Sequence, residues 1–392
     1  MVGIFGIAGI AQLSVAALVL AHGTWWTTLS LVALPRPKFA EPMYPAGRRM
    51  AVVVPAHNEE AMIGATIDSL ARSAAGTDCT IVVVADNCED RTAEVARAHG
   101  AVVIERVDHS LRGKPFALRF ALDFLANQAK TPDIVAIVDA DTEVSDSFVP
   151  AMAERVAGGA RAVQAHYLAG EAGTDLGRLR AMAFALIHWS RPLGASRLGL
   201  GMGLKGNGMA FSWDAARVAV AGDGLAEDAA AALALAERGI AVAFEPRAWV
   251  RGFMAQTYAE ARTQDARWEG GRTRLVIRSL AVGAKRLASG DFAASAAALD
   301  TASLPLSLLA LLGVAGLAAS TAGVGSFTLA ALAVASLASY ASVGLVAART
   351  PIRNLGAVVG LPRFALHKFA VYARIVSGRG ASGWERTRRA ER

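Results

Sequence analysis

Long apolar runs lie at the two ends of the chain, and short apolar segments alternate with polar ones between them. Residues 2–22 carry no ionisable side chain before His22 and are long enough to span a bilayer. Two further apolar segments, at about 302–324 and 326–348, are separated by a Gly-Val-Gly-Ser sequence that is typical of a turn. Because no cleavage site with a cationic leading region is evident, we expect the first run to be retained as an anchor. The sequence therefore predicts three transmembrane helices.

The pattern between residues 49 and 275 is that of an α/β domain. Runs rich in β-branched residues predict buried strands, and they lie at 50–55, 80–84, 102–104 and 134–138. Helical spacing of apolar residues predicts the helices between them, at 60–74, 92–99 and 115–128. Such alternation indicates a parallel sheet with helices on both faces, and ligands then bind beyond the carboxyl ends of the strands.

The chain divides into five segments on this basis. We predict a transmembrane anchor at 1–34, an α/β domain at 49–275, a juxtamembrane amphipathic segment at 276–301, a transmembrane hairpin at 302–348 and a basic interfacial tail at 349–392. Within the tail, apolar and basic residues are mixed, which favours a helix lying in the membrane interface over a fourth span.

Charge sets the orientation of the predicted spans. The chain has a net charge of +7, 54% hydrophobic residues and a mean hydropathy of +0.38, which is too apolar for an ordinary soluble protein. Basic residues follow the first span, precede the second and follow the third, so the positive-inside rule places the central domain in the cytosol and makes the chain a multi-pass protein of the cell (inner) membrane. The basic residues lie beside the predicted membrane segments and are not interleaved with aromatic residues that could stack on bases. We therefore predict a membrane partner and no nucleic acid. Reduced thiols are expected for Cys79 and Cys88.

Polar side chains follow several of the predicted strands. The buried run 134–138 leads directly into Asp139 and Asp141, and carboxylates at such a position suit a hard divalent cation shared with substrate phosphates. Asn58 and Glu59 follow the first strand, and Asp86 follows the second. Each of these residues has an alternative role as a turn former or helix cap.

The motifs occur in the order found in the family 2 glycosyltransferases, which this chain resembles over about residues 50–275. They are Pro55-x-x-Asn58-Glu59, Val84-x-Asp86-Asn87-x-x-Asp90, Arg112-Gly113-Lys114, Asp139-x-Asp141, Glu227-Asp228 and Gln264-x-x-Arg267-Trp268. The last motif is typical of the membrane branch that includes cellulose, chitin and hyaluronan synthases. The resemblance implies an inverting enzyme with a GT-A nucleotide-diphospho-sugar transferase domain in the cytosol and three transmembrane helices.

The resemblance also assigns donor-binding roles by position. Asn58, Glu59 and Asp86 would line the nucleotide base and ribose, although Ala85 stands where the family usually has a further aspartate. Lys114 would approach the diphosphate. Asp139 and Asp141 would hold the nucleotide and a Mg²⁺ or Mn²⁺ ion, which neutralises the charge that the leaving group gains.

The remaining roles concern the acceptor. Asp228 would be the general base that takes the proton of the acceptor hydroxyl, and its alternative is a cap at the start of the apolar helix 229–237. Gln264, Arg267 and Trp268 fall on one helical face and would contact the diphosphate and the acceptor sugar, whereas packing or an aromatic membrane belt is the alternative for Trp268.

The sequence thus predicts transfer of a sugar from a nucleoside-diphosphate sugar to a membrane lipid or lipid-linked glycan at the cytosolic face. UDP-sugars are the commonest donors in the family that the chain resembles. A processive polysaccharide synthase is the main alternative, because of the Gln-x-x-Arg-Trp motif. A sugar nucleotidyltransferase is more remote, since the first loop lacks glycine, and a non-catalytic membrane scaffold would not need these carboxylates together.

Overall fold

One mixed β-sheet of eight strands organises the central domain. The computed structural model describes residues 2–36, 38–170, 173–221, 227–252, 257–258, 261–262, 265, 275–320 and 324–377. The strands are β1 Met50–Ala56, β2 Cys79–Asp86, β3 Val102–Arg106, β4 Ile134–Ile137, β5 Thr142–Val144, β6 Ala162–Ala169, β7 Met209–Ser212 and β8 Val242–Gly252. Their order across the sheet is β3-β2-β1-β4-β7-β6-β8-β5.

Helices connect and flank these strands. Before the domain lies α1 Val2–Ala33, and within it are α2 Ile63–Ser73, α3 Thr92–Ala98, α4 Lys114–Ala126, α5 Phe148–Ala157, α6 Asp175–Ala185, α7 Arg191–Arg197, α8 Trp213–Val220 and α9 Glu227–Glu237. After the domain come α10 Val276–Ala288, α11 Phe292–Ala302, α12 Leu306–Ala318, α13 Val324–Ala347, α14 Ile352–Leu355 and α15 Leu361–Val376. A π-helical turn, Leu186–Ser190, joins α6 to α7.

The first four strands confirm the predicted parallel arrangement. β1 lies between β2 and β4, with Val53 opposite Val82 and Ile137. Alternate residues of β1 enter two different cores: Val53 packs on the side of α4 and α8, and Val52 packs on the side of α2 and α5. Both faces are therefore covered, as the continuous apolar runs require. The other half of the sheet is mixed, because β7 runs antiparallel to β4 and β6.

Two described helices are long and apolar enough to cross a membrane. They are the parts Gly9–Ala33 of α1 and Ser326–Ala347 of α13. A third crossing requires α11 and α12 to act as one span, although they meet at a bend of 66°. The 13 residues of α12 measure only about 20 Å at the helical rise, which is short of a hydrocarbon core. The three-span topology and its orientation remain predictions.

The N-terminal helix α1 joins the apolar helix α13 to the α/β domain. Trp26 packs on Tyr340 of α13 with 5.1 Å between ring centroids, and the hydroxyl of Thr27 donates to the carbonyl of Ser336, 309 residues away. On its other side α1 lies so close to α7 that a β-carbon on Gly194 would overlap the carbonyl of Leu29. Such close approach needs glycine, as in other tightly packed helix pairs.

The C-terminal helix α15 is amphipathic, as predicted for residues 355–377. Leu366 and Phe369 are 72% and 66% exposed, which suits a membrane interface. The basic residues do not all face outwards, however. His367 and Lys368 are buried, because they pair with the carboxylate of Asp265 in the central domain.

Candidate active site

The loops after β1 and β2 are tied to each other by Asn58 and Glu59. Asn58 adopts a left-handed backbone with φ of 56°, and its Oδ1 accepts the N–H of Glu89 at 2.8 Å. The N–H of Glu59 donates to Oγ1 of Thr92 at 2.8 Å. These contacts fix the shape of the two loops at the carboxyl edge of the sheet. Direct contact of Asn58 and Glu59 with a nucleotide remains a prediction.

Asp86 lies at the end of β2 in a pre-formed polar cluster. Its Oδ1 accepts from Nη1 of Arg106 at 2.7 Å and from Nδ2 of Asn87 at 3.0 Å. Arg106 also pairs with Asp108 at 3.1 Å. Because the side chain of Asp86 is only 8% exposed, its orientation is set before any ligand arrives. Sequence reasoning missed Arg106, although its place at the end of β3 puts it on the same edge.

Lys114 connects two of the predicted site elements. It is the first residue of α4 and follows Gly113, whose φ of 122° favours glycine. Its Nζ donates to Oδ1 of Asp139 at 2.6 Å and to the carbonyl of Gly206 at 2.5 Å. The lysine that was predicted to meet a diphosphate therefore lies on the first aspartate of the Asp-x-Asp pair.

The turn Gly206-Asn207-Gly208 holds Asp139 from its other side. Oδ1 of Asn207 accepts the N–H of Asp139 at 3.1 Å, and its Nδ2 donates to Oγ1 of Thr142 at 2.8 Å. Asn207 is 1% exposed, and its carbonyl accepts from Nε2 of Gln164 at 2.8 Å. Both glycines have positive φ, a backbone conformation that favours glycine in a tight turn. The backbone that carries the two aspartates is thus fixed by side chains from β6 and from this turn.

Tyr167, on β6, is a second residue that the sequence pattern did not identify. Burial raises the pKa of Tyr167, and the negative charges of Asp139 and Asp141 raise it further. Its phenol therefore stays protonated near neutral pH and can act as a hydrogen-bond donor beside the two carboxylates. Only a glycine fits opposite it, because a β-carbon on Gly252 would lie 2.6 Å from the phenol oxygen.

Asp228 faces the same turn. Helix α9 begins at Glu227, so the predicted position of Asp228 in the first helical turn is confirmed. A β-carbon on Gly206 would lie 3.7 Å from Oδ2 of Asp228. The turn therefore touches Lys114 and Asp139 on one side and the carboxylate of Asp228 on the other. A reacting atom that lies near this turn is within reach of the Asp139 carboxylate, the Lys114 cation and the separate Asp228 carboxylate.

Of the motif that starts at Gln264, the structure describes Asp265; Gln264, Arg267 and Trp268 lie outside the described residues. Asp265 is 4% exposed and pairs with Arg180 at 3.3 Å and with Lys368 at 2.8 Å. Nε2 of His367 lies 3.2 Å from the same carboxylate. Burial alone would raise the pKa of Asp265, but His367, Lys368 and Arg180 outweigh it and lower that pKa to about 2. Asp265 thus stays ionised and links α6, α15 and this segment.

Three aromatic rings, those of Tyr167, Phe184 and His188, pack against one another at the π-helical turn. The π-helical turn places His188 against Phe184 with stacked rings 4.3 Å apart, and Tyr167 meets both rings edge-on at 5.3 Å. A π-helical turn carries one extra residue and often occurs at functional sites. Sequence reasoning gave His188 no role, and its position beside Tyr167 now places it near the carboxylates.

Asp139 and Asp141 suit Mg²⁺ or Mn²⁺ by the chemistry of their oxygen atoms. Mg²⁺ binds one or two carboxylates together with substrate phosphates and water rather than a closed protein cage. Within the described ranges no group of three or more His, Cys, Asp or Glu side chains is placed to hold a metal. Asp139 is accessible enough to bind one, since its side chain is 33% exposed.

Comparison with known families identifies the domain. Residues 46–271, more than half of the chain, match the family described as glycosyltransferase-like family 2. The chain belongs to glycosyltransferase family 2. The predicted family and the α/β fold class are thereby confirmed. A mannosyltransferase from Pyrobaculum calidifontis, solved in complex with GDP-Man and Mn²⁺, has the same fold: it superposes with a TM-score of 0.54 over 89% of this chain and 98% of its own, at 19% identity.

Curated relatives match a shorter part of this family 2 chain. The 4,4'-diaponeurosporenoate glycosyltransferase of Staphylococcus haemolyticus is 31% identical over 97 residues, and that of Staphylococcus aureus strain USA300 is 34% identical over 94 residues. These matches cover 25% and 24% of this chain and the same shares of the relatives. The match thus spans about a quarter of the length of the relatives.

Proposed function

We propose that this chain is an inverting glycosyltransferase that moves a sugar from a nucleoside-diphosphate sugar, a UDP-sugar in the first instance, to a membrane lipid or lipid-linked glycan at the cytosolic face. The observation that carries the proposal is the turn at Gly206. It brings together the Lys114–Asp139 pair, suited to a diphosphate, and the Asp228 carboxylate, suited to an acceptor hydroxyl.

The proposed reaction is a single displacement at the anomeric carbon. Asp228 accepts the proton of the acceptor hydroxyl while the oxygen forms a bond to that carbon, and the bond to the diphosphate breaks on the opposite face. The nucleoside diphosphate leaves with the bonding electron pair. Asp139 and Asp141 would hold a Mg²⁺ or Mn²⁺ ion, which when bound supplies positive charge for the departing diphosphate. Lys114 adds a further positive charge at that place.

The predicted donor contacts extend this site along the sheet edge. Asp86, fixed by Arg106, would accept from hydroxyl or imide groups of the nucleoside, beside Asn58 and Glu59. Gln264, Arg267 and Trp268 would meet the diphosphate and the acceptor sugar. The presence of GDP-Man and Mn²⁺ with the mannosyltransferase of the same fold is consistent with a nucleotide-sugar donor and a divalent metal.

The apolar helices support a membrane acceptor. Helix α1 packs on both α7 and α13, so the domain would be held beside the bilayer. The staphylococcal relatives are named 4,4'-diaponeurosporenoate glycosyltransferases. A multi-pass protein of the inner membrane with this domain in the cytosol would reach such an acceptor directly.

Replacing the paired aspartates tests the proposal. Asp139→Ala and Asp141→Ala should abolish metal-stimulated release of nucleoside diphosphate from labelled donors while the protein stays folded. Asp146→Ala is the matched control, because Asp146 follows the next strand, β5, and its side chain is 84% exposed. Retention of metal-stimulated turnover by both site variants would rule out the assignment.

The size of the product distinguishes the proposed enzyme from the main alternative, a processive synthase. A polymer channel needs a polar lining shielded from lipid. The two or three candidate spans of the described residues provide few helices for one, so we favour addition of one or a few sugars. Purified protein incubated with labelled UDP-sugar and membrane lipids should give short, lipid-extractable products. A ladder of long water-soluble chains would instead support the synthase.

A further inference from the structure

We infer that Asp300, on the helix that leads into the membrane hairpin, is a positioning residue for the turn of the proposed active site. This inference rests on the proposed function, since it assigns Asp300 to the same transfer reaction. Asp300 lies near the end of α11, far in sequence from every motif residue. Its carboxylate nevertheless holds the segment 203–208 that separates Asp139 from Asp228.

Three groups converge on the Asp300 carboxylate. Oδ2 accepts the N–H of Gly203 at 3.0 Å and pairs with Nζ of Lys205 at 3.0 Å. Oδ1 pairs with the guanidinium of Arg191. One carboxylate thus fixes both the main chain and a side chain immediately before Gly206.

The other end of the same segment forms the site. The carbonyl of Gly206 accepts from Nζ of Lys114, and Asn207 accepts the N–H of Asp139. Gln164 connects the two ends, since its Oε1 accepts the N–H of Lys205 at 2.9 Å and its Nε2 donates to the Asn207 carbonyl at 2.8 Å. A shift at Gly203 or Lys205 is therefore transmitted to the backbone beside Asp139.

The segment has little room to move towards α11. A β-carbon on Gly201 would lie 2.6 Å from the carbonyl of Ala293, and one on Gly203 would lie 3.1 Å from Oδ2 of Asp300. The main chain therefore lies directly on this helix. The helix backbone at Ala293 and the Asp300 carboxylate therefore set the position of this main-chain segment.

Charge makes Asp300 hard to replace. The side chains of Arg191 and Lys205 are 9% and 4% exposed, so they need a buried negative partner. Arg191 cannot easily turn away, because its guanidinium lies 4.4 Å from the ring centroid of Trp26. Removing the carboxylate takes a negative partner from two buried cations, which is strongly unfavourable. We expect Lys205 to swing out and to pull the turn from its place.

The variant Asp300→Asn tests this role, because it keeps the size of the side chain and removes its charge. The turnover number for sugar transfer should fall about 10–100-fold, since small displacements of reacting groups have effects of that order. Affinity for UDP without added metal should stay unchanged, because the Asp86 cluster lies on other strands. The double variant Asp300→Asn/Lys205→Met should recover part of the lost rate, because it also removes one of the two buried cations that the carboxylate neutralised.

Asp291→Asn is the matched control on the same helix. Asp291 accepts the N–H of Ala294 at 3.0 Å as a helix cap, and asparagine caps equally well. This variant should keep the wild-type turnover number and the wild-type hydrogen exchange of residues 203–208. In Asp300→Asn, exchange of residues 203–208 should become faster.

The two readouts separate this inference from the proposed function. If the wild-type protein transfers no sugar from any donor, the proposed function fails, and hydrogen exchange still decides whether Asp300 holds the turn. If the wild type is active, an unchanged turnover number in folded Asp300→Asn overturns the inference, whatever the exchange rate. If Asp300→Asn does not fold, Lys205→Met, which removes only one of the three contacts, replaces it and should show a smaller decrease of the same kind.

Discussion

Substitution of Lys114 by methionine should affect metal and nucleotide binding in opposite directions. In the structure Nζ of Lys114 lies 2.6 Å from Oδ1 of Asp139, so the lysine and a divalent cation compete for the same carboxylate. Methionine keeps most of the apolar stem of the side chain but removes the charge. Metal alone should then bind more tightly, whereas the diphosphate of a donor loses a positive partner.

The contact sets the size of the effect. A hydrogen bond to a charged group contributes about 1.5–3 kcal/mol when well shielded. Lys114 and Asp139 are 17% and 33% exposed, so solvent reduces this to about 1–2 kcal/mol. We therefore expect Mn²⁺ to bind Lys114→Met about 5–30-fold more tightly, and UDP in the presence of metal to bind more weakly by a similar factor.

Isothermal titration of the purified protein with MnCl₂, with and without UDP, measures both changes. Lys130→Met is the matched control, because Lys130 is exposed in the loop after α4 and should alter neither affinity. Weaker or unchanged Mn²⁺ binding by Lys114→Met would refute the competition between lysine and metal. Unchanged UDP binding would refute the diphosphate role.

Three further predictions concern the base, the buried ion cluster and the topology. Asp228→Asn should keep UDP affinity but slow transfer about 10²–10⁴-fold in single-turnover assays, and a loss of donor affinity at an unchanged rate would assign Asp228 to binding instead. The pKa of Asp265 is lowered to about 2 from its ordinary value of 3.8, so its ion pairs stabilise the fold above pH 4 by about 2 kcal/mol, a contribution lost as the pH falls towards 2. Chemical denaturation between pH 6 and pH 2.5 should show this decrease in the free energy of unfolding of the wild type. Asp265→Asn should be less stable at neutral pH and should lose less of its stability as the pH falls. A cysteine at Ser382 should react with an impermeant label only after the membrane is opened, and labelling of intact cells would contradict the cytosolic tail.

The strands that the sequence predicts best are those buried on both faces. β1, β2 and β4 are uninterrupted apolar runs, and such runs have few alternatives when turn residues follow them. β8 was not predicted, because Glu245, Pro246 and Arg247 interrupt its pattern and hide its period. β5 has three residues, which is too short to give any pattern. The arrangement of the mixed half of the sheet could therefore be determined only from the structure.

In the candidate site, too, some residues could be predicted from the sequence and others could not. Asp139, Asp141 and Asp228 were identified because short motifs place them at element ends, and the family order reinforced each one. Their neighbours depend on contacts that no local pattern carries. Lys114 meets a carbonyl 92 residues away, and Lys368 meets Asp265 across 103 residues. The positions of candidate residues at element ends were thus predictable, whereas the groups that hold them in place were not.

The packing of α1 has a consequence for how the protein is assembled. Its partner α13 lies about three hundred residues later in the chain, so Thr27 cannot meet Ser336 until synthesis is nearly complete. In the predicted topology, lipid covers the α13 side of the α1 face that contains Trp26 until then. The α/β domain can fold first, because all eight strands lie between residues 50 and 252 and are synthesised before α13, and the late-arriving helix then packs on α1. We therefore expect premature termination before α13 to leave a folded domain on a loosely held anchor, which a cell's quality-control proteases can recognise.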